Sequence, residues 1–329
     1  MIDHVQIKKK NYYYRRYGLI KIRSMNKEIF NHVSIVICSY YSGEKLKEHI
    51  LNIDQNYEIL IIDNAKEERL KNFILSNSPH INYFAPDNDR GLSWSYNYAL
   101  AILKTKYIFI TQPDVILNKE TIPKLYEAAE KYPNASMLSS IEYNKDQKNL
   151  DLKFLKFGKN NKILNYNFNR NFIKESSGDF CVDAINSTTM LVNVAHLKKI
   201  NGWDNNYFMY CEDIDLSIRA RIKGYEVIKV NSSTVNHIGF SSHNKIYHSV
   251  FEKKRNWHWA WSQIYFYKKH QSSLYLFRIY IKLILFSFFK FFLYSLVFSG
   301  KSKTYFYRFY GAICSVLNLK SFYRNKITK

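Results

Sequence analysis

The chain has 329 residues and a formal net charge of +22, and 47% of its residues are hydrophobic. This hydrophobic fraction excludes global disorder, and the length fits one main domain with an appendage. The charge first suggests nucleic acid, but residues 1–30 and 245–329 carry eight and sixteen Lys or Arg residues, so the core between them is nearly neutral.

The cysteines and the N-terminal composition indicate a reduced, cytoplasmic protein. Cys38, Cys181, Cys211 and Cys314 are widely separated and form no Cys-x-x-Cys pair. Neither a zinc cage nor a disulfide framework is therefore indicated. Residues 1–30 contain no apolar stretch typical of a secretory signal. We therefore expect the acting domain to remain in the cytoplasm.

Apolar, β-branched runs alternate with helical patterns in the first third of the chain. The predicted strands are 33–38, 58–62, 81–84 and 107–110, and the predicted helices are 44–53, 67–75 and 94–103. This alternation predicts an α/β fold with a mostly parallel sheet flanked by helices. Ligands bind beyond the carboxyl ends of the strands in such sheets, which makes Ser39, Asp63 and Asp114 candidate binding residues.

The second half of the main domain is less regular. Residues 145–180 are rich in Asn and Lys and predict loops or a hairpin insertion. A strand at 189–193, a helix through His196, a turn at 201–204, a helix at 212–223 and a strand at 225–230 follow.

Two adjacent acids, Glu212 and Asp213, stand at the start of the 212–223 helix. The positive end of a helix favours an ionised acid, so either residue is a candidate general base for chemistry on a hydroxyl group. The same pattern also suits a plain helix start in which Asp215 and Arg219 pair four residues apart. Both interpretations stay open on this pattern alone.

Asp63 and Asp114 likewise allow two interpretations. Asp63 suits a turn or helix-cap acceptor, and equally a hydrogen-bond acceptor for a nucleobase or ribose. Asp114 follows a proline that ends strand pairing. A carboxylate on such a loop is a good ligand for Mg²⁺ or Mn²⁺, which prefer oxygen.

Taken together, these motifs resemble inverting nucleotide-sugar glycosyltransferases of family 2, and most closely the rhamnosyltransferase-like branch. The similarity covers residues 33 to about 262. The motifs that carry it occur in the family's order: Val33 to Tyr40, Ile61 to Asn64, Asp89-Arg90-Gly91 to Asn97, Gln112-Pro113-Asp114, Gly202-Trp203-Asp204, Glu212 to Asp215, and Asn236-His237.

The resemblance implies a GT-A fold that binds Mg²⁺ or Mn²⁺ at the diphosphate of a nucleotide-sugar donor. The implied metal-binding residues are Asp114 and His237, and the implied base is Asp213, with Glu212 as second choice. The implied donor-binding residues are Ser39, Tyr40, Asp63, Arg90, Gly91 and Asn97. The chain departs from the family pattern at Gln112 and Asp89, and at the bulky Trp94 and Tyr96.

The C-terminal region is basic and aromatic. Residues 275–298 are strongly apolar, but Arg278, Lys282 and Lys290 interrupt the run. We favour an interfacial helix at an anionic membrane over a spanning or re-entrant helix, and over a soluble core or oligomer helix. The resulting division is a basic extension (1–30), a glycosyltransferase domain (31–245) and a membrane-associating helical region (246–329).

The leading hypothesis is an inverting glycosyltransferase at the cytoplasmic face of the inner membrane. It would extend a lipid-linked cell-surface glycan, with rhamnose as the candidate sugar. One alternative is a single-stranded nucleic-acid-binding protein, because basic residues interleaved with aromatics also suit that role. The nearly neutral core disfavours this alternative, so we expect no nucleic acid partner. Another alternative is a catalytically inactive binding module of the same fold.

Overall fold

The computed structural model describes residues 28–144, 147–149, 154–157, 163–167, 178–237, 248–271 and 273–324. The basic extension lies outside them up to residue 27. The strands are β1 (Val33–Ser39), β2 (Glu58–Asp63), β3 (Asn82–Phe84), β4 (Tyr107–Thr111), β5 (Val115–Leu117), β6 (Ala135–Asn144), β7 (Gln147–Asn149), β8 (Phe154–Phe157), β9 (Ile163–Asn167), β10 (Phe180–Cys181), β11 (Thr189–Asn193) and β12 (Glu226–His237).

The helices are α1 (Gly43–Leu51), α2 (Glu68–Asn77), α3 (Leu92–Ile102), α4 (Thr121–Lys131), α5 (Val194–Lys199), α6 (Glu212–Ile222), α7 (His248–His270), α8 (Ser273–Leu296) and α9 (Lys301–Val316). Each element predicted before residue 112 is present, with its ends within two residues of the prediction. The segment from β5 to β6 had no predicted elements.

The main sheet is mixed. Among the described residues its strand order is β10-β12-β6-β11-β4-β1-β2-β3, with β5 added beside β12 and β7 beside β6. The predicted parallel arrangement holds for β3, β2, β1 and β4. In contrast, β11 runs antiparallel to both of its neighbours. Parallel neighbours need a crossover, usually a helix, whereas the chain between β6 and β11 contains the antiparallel β8–β9 pair.

Helices cover both faces of the sheet. Along β1, Ile35 and Ile37 pack into one hydrophobic cluster, and Val36 between them packs into the other. This alternation follows from the two-residue period of a strand, and the burial of every residue from Val33 to Ile37, including Ser34, fits a strand buried on both faces. Helices α1, α2 and α4 pack on the first face, and α3, α5 and α6 pack on the second.

A buried carboxylate, Asp215, connects α6 to α7. Its side chain is 0% exposed and accepts hydrogen bonds from Arg219 Nε at 2.7 Å and His270 Nε2 at 2.8 Å. Lys269 Nζ lies 2.7 Å from the same carboxylate. Arg219 also donates to the carbonyl oxygens of Ile200 and Gly202, both at 2.6 Å. The pairing of Asp215 with Arg219 is therefore present, and it belongs to a larger network.

Helix α7 packs into the body of the fold. Phe266 joins Ile214 and Ile218 of α6 in one cluster, and Trp257 and Trp261 pack against Cys314 of α9 in another. A Cβ atom at Gly311 of α9 would lie 2.2 Å from the Trp257 carbonyl oxygen, so the two helices approach closely. The division proposed at residues 245 and 246 therefore falls before a helix that completes the main domain.

Helix α8 lies on the outside of this assembly. Its segment Phe277–Leu296 has 20 residues and a mean hydropathy of 1.7, and only 6% of it is buried. Length and composition would allow this segment to cross a membrane. The contacts of α8 are mainly with α9, so the two helices form an apolar hairpin on the surface of α7.

Replacing Asp215 with Asn should lower the free energy of unfolding by about 3–5 kcal/mol, because Arg219 and Lys269 would lose a buried counter-charge. Glu44→Gln is the matched control, since it removes an 81% exposed carboxylate that lies 3.0 Å from Lys47 on α1. The control should lose at most about 1 kcal/mol. Chemical denaturation of both variants measures the difference, and equal losses would contradict the assigned role.

The Asp215 effect should also depend on pH. Burial by itself raises the pKa of this carboxyl, but the His270 hydrogen bond and the Arg219 and Lys269 charges lower it to about 2. A lowered folded-state pKa adds stability above the unfolded value and loses it as pH falls through the folded value. The gap between the wild type and Asp215→Asn should therefore persist down to about pH 4 and close only near about pH 2.

Candidate functional site

A cavity of about 490 Å³ opens at the carboxyl ends of the parallel strands. The register of the sheet creates this location, because Ser39 at the end of β1 pairs with Asp63 at the end of β2. The loop after β4, the start of α6 and one side of α7 complete the wall. A cavity therefore lies where a ligand site is expected, beyond the carboxyl ends of the strands.

Glu212 and Asp213 both line the cavity at the N-terminus of α6. Two non-glycine residues in the left-handed region, Tyr210 (φ 69°) and Cys211 (φ 65°), precede them. Each such residue costs about 1–3 kcal/mol, and the conformation persists because the surrounding structure holds it in place. The strained turn brings the start of the helix, with its positive dipole end, to the cavity wall.

The two acids have different surroundings. Glu212 is 3% exposed, and its carboxylate acts with burial to raise the pKa of the Cys38 thiol to about 12. Asp213 is more exposed, and its Oδ2 accepts a hydrogen bond from the Ser187 backbone N–H at 3.2 Å. Glu212 thus lies near Cys38 of β1, whereas Asp213 contacts the loop before β11. The more open Asp213 is better placed to meet a hydroxyl group of a ligand.

Asp114 and His237 meet at another part of the cavity wall. The antiparallel pairing of β5 with β12 aligns His237 with Val115, next to Asp114. His237 Nε2 lies 3.7 Å from Asp114 Oδ2, and its Nδ1 lies 3.5 Å from Glu142 Oε2. These carboxylates raise the pKa of the His237 imidazole to about 9.

A carboxylate and an imidazole fit a divalent cation that takes its remaining ligands from phosphate and water. Within the described parts of the chain, no group of three or more His, Cys, Asp or Glu side chains could hold a metal ion without such help. A cation that binds His237 must also displace the proton of its imidazole. The donor set therefore fits a cation that enters together with a diphosphate.

Three of the expected donor-binding residues lie in the cavity wall: Ser39, Tyr40 and Gly91. Gly91 has φ +78°, and a Cβ atom there would lie 2.3 Å from the Phe208 carbonyl oxygen. Only glycine fits this close approach between the start of α3 and the segment before α6. The Leu92 backbone N–H donates to the same carbonyl at 2.8 Å, which fixes the two segments together.

The other three expected donor-binding residues do not line the cavity. Asp63 is 0% exposed, and its carboxylate accepts hydrogen bonds from the backbone of Ala65 and Glu67 and from the Tyr83 hydroxyl. These contacts match the interpretation of Asp63 as a hydrogen-bond acceptor in a turn. The exposed Arg90 guanidinium lies 5.5 Å from the Trp94 ring centre.

Asn97 connects α3 to the turn at Gly202-Trp203. Its side chain donates to the Trp203 carbonyl at 2.7 Å and accepts from the Trp203 backbone N–H at 2.9 Å. Both ends of the Asn97 amide are thus engaged by the turn at Gly202-Trp203, and its contact with the donor stays a prediction. The Gly202 carbonyl of the same turn also accepts a hydrogen bond from Arg219.

Helix α7 supplies cavity residues that the motifs did not identify: Phe251, Lys254, Arg255, Trp259 and Gln263. Lys254 is 4% exposed, pairs with the Asp89 carboxylate and lies 3.6 Å from the centre of the Tyr40 ring. Arg255 Nε donates to the Tyr210 hydroxyl at 3.1 Å. The basic, aromatic composition of residues 253–259 was the available signal, but it did not indicate which face meets the cavity.

Comparisons with known proteins agree with this geometry. The family model described as Glycosyl transferase family 2 matches residues 34–190. The chain is 27% identical over 241 residues to rhamnosyltransferase WbbL of Escherichia coli. The aligned stretch covers 69% of this chain and 89% of that protein. The chain is 24% identical over 200 residues to the low-salt glycan biosynthesis hexosyltransferase Agl10 of Haloferax volcanii, covering 57% of this chain and 61% of that protein.

The fold also matches a solved structure, that of mannosyltransferase PcManGT from Pyrobaculum calidifontis in complex with GDP-Man and Mn²⁺. The TM-score is 0.54 over 87% of each chain, at 10% identity. At this identity the match shows the fold alone, and it confirms the expected GT-A architecture. The family match over residues 34–190 and the two relatives support a family 2 glycosyltransferase.

Proposed function

We propose that this glycosyltransferase acts with inversion and with a divalent cation. It moves a hexosyl group, with rhamnose as the candidate, from a nucleotide-diphosphate donor to a hydroxyl of a lipid-linked glycan. The observation that carries the proposal is that Asp213 and the Asp114–His237 pair line one cavity. The names of the two relatives, a rhamnosyltransferase and a hexosyltransferase, support the sugar class.

Asp213 is the proposed general base. Its carboxylate accepts the proton of the acceptor hydroxyl while the hydroxyl oxygen forms a bond to the anomeric carbon. The bond between that carbon and the diphosphate oxygen breaks in the same step, and the electron pair leaves with the nucleoside diphosphate. The Ser187 backbone N–H, which donates to Asp213 Oδ2, orients the carboxylate for this transfer.

Asp114 and His237 are the proposed ligands of Mg²⁺ or Mn²⁺, together with oxygens of the donor diphosphate. A bound cation would neutralise the charge that develops on the departing diphosphate. The similar mannosyltransferase was solved with Mn²⁺ and a nucleotide sugar, which supports this assignment. Arg255 and Lys254 on the facing helix add positive charge to the same cavity.

Asp213→Asn should lower the turnover of a nucleotide sugar by about 10²–10⁴-fold, the usual contribution of a general base, while nucleotide binding stays near normal. Glu212→Gln is the matched control and should lose much less, because Glu212 faces Cys38. Sugar release from a panel of nucleotide sugars measures both variants. A larger loss in Glu212→Gln would move the role of base to Glu212.

Asp114→Asn should weaken the Mn²⁺-dependent binding of UDP, GDP or dTDP by at least about 10-fold, because the diphosphate loses an anchored cation. Asp87→Asn removes a 96% exposed carboxylate outside the cavity wall and should change nothing. Calorimetric titration with and without EDTA measures both affinities. If EDTA and Asp114→Asn leave nucleotide affinity unchanged, the metal assignment fails.

We also propose that the hairpin of α8 and α9 lies in the plane of an anionic membrane, at its cytoplasmic face. Leu285, Phe289 and Phe292 lie on one side of α8, and each is more than half exposed. Arg278 and Lys282 on α8 and Lys303 on α9 are also exposed. Apolar side chains in the acyl boundary with cations at the headgroups are typical of interfacial helices.

Replacing Leu285, Phe289 and Phe292 together with Ser should lower binding to phosphatidylglycerol vesicles by at least about 10-fold, since each buried side chain contributes about 1.5–3 kcal/mol. Leu51→Ser with Leu75→Ser is the matched control, because these residues are 67% and 56% exposed on α1 and α2. Flotation measures binding.

Alkaline carbonate should extract the wild-type protein from membranes, and retention would favour a spanning helix.

A further inference from the structure

Trp259 of α7 connects the cavity to the apolar hairpin. Its side chain lines the cavity, and the Arg308 guanidinium of α9 lies 4.8 Å from the centre of its ring. Arg308 Nε donates to Asn256 Oδ1 at 2.7 Å, which fixes the guanidinium beside Trp259. A cation of the hairpin is therefore held at the edge of the cavity.

In the described part of the chain, the charge of Arg308 meets an acid only indirectly, because Asn256, which accepts from Arg308 Nε, donates to Glu252 Oε2 at 3.3 Å. Residues 245–329 contain one acid, Glu252, whose carboxylate lies 3.2 Å from Arg255 Nη1. Among the residues that the structure describes, Arg308 forms no ion pair, although it is only partly exposed. A partly buried guanidinium without a counter-charge favours an anionic ligand, and its planar fork of donors suits phosphoryl oxygens.

The opposite side of Arg308 leads to the apolar surface. Tyr305, one turn earlier on α9, lies 5.5 Å from the Arg308 guanidinium. The Tyr305 ring contacts Phe286 at 6.1 Å and Tyr294 at 5.4 Å on α8. A polar cavity with an aromatic wall, a cation and an apolar hairpin therefore follow one another in space.

We infer that Trp259 and Arg308 form the acceptor subsite, in which Arg308 binds the phosphoryl group that joins the acceptor sugar to its lipid. This inference rests on the proposed transfer to a lipid-linked glycan. The sugar then lies against Trp259 inside the cavity, and the lipid follows the exposed apolar side of α8. The order sugar, phosphate and lipid matches the order of aromatic wall, cation and hairpin, which a bilayer headgroup without a sugar would not require.

Farnesyl diphosphate is a suitable probe, and EDTA in the titration prevents cation-dependent binding at Asp114. The wild-type protein should bind it more tightly than farnesol or inorganic diphosphate. Arg308→Gln should weaken this binding at least 10-fold, whereas Lys320→Gln, which removes an exposed cation just beyond the same helix, should leave it unchanged. Arg308→Lys keeps the charge but loses the planar fork, so it should bind more tightly than Arg308→Gln and less tightly than the wild type, which separates the loss of charge from a fold defect.

Three results would overturn the subsite. These are equal losses in Arg308→Gln and Lys320→Gln, equal affinity of the wild type for inorganic and farnesyl diphosphate, and an equally large loss of phosphatidylglycerol vesicle binding in Arg308→Gln. The last result would assign Arg308 to bilayer headgroups. Absence of sugar release from donor in the wild type would instead defeat the proposed function, and the farnesyl diphosphate result would stand.

Discussion

The buried Asp215 carboxylate is the constraint on which the site depends. It is 0% exposed, and Arg219, Lys269 and His270 surround it, so α6 cannot shift relative to α7 without separating buried charges. The acids Glu212 and Asp213 lie less than one turn earlier on α6. Their position in the cavity is therefore set by a contact that takes no part in the reaction.

The same network includes the turn at Gly202-Trp203, which precedes the strained residues Tyr210 and Cys211 before α6. Arg219 binds the Ile200 and Gly202 carbonyls, and Asn97 of α3 binds the backbone of Trp203. Gly91 directly precedes α3, and the Leu92 backbone N–H at the start of this helix donates to the Phe208 carbonyl. One connected set of contacts thus holds the loop before α6, the helix that carries the proposed base and the lining helix α7 in a fixed arrangement, as preorganised catalysis requires.

The N-terminal half of the fold could be predicted because its signals are local. The strands β1, β2 and β4 are continuous apolar runs between polar turns, and the periodicity of the helices between them is clear. In contrast, β6 was missed because Ser136, Ser139 and Ser140, all buried, interrupt its apolar pattern. The direction of β11 was missed because sequence pattern does not show which neighbour a strand pairs with.

The same distinction applies to the site. Asp114, Glu212, Asp213 and His237 follow strand ends or start a helix, so motif order placed them in one cavity. Asp63 and Asn97 have the same polar character, but backbone contacts engage them. Trp259 and Arg308 come from a region where the sequence shows composition alone, and their approach to the cavity depends on packing between α7 and α9. Long-range packing of this kind has no local sequence signal.

The anomeric configuration of the first-formed product tests the central claim most directly. Proton NMR can follow the released sugar while the wild-type protein turns over a nucleotide sugar, before the two anomers equilibrate. A single displacement assisted by Asp213 predicts a first-formed anomer opposite to that of the donor. A first-formed product with the configuration of the donor would require a different mechanism and would contradict the account.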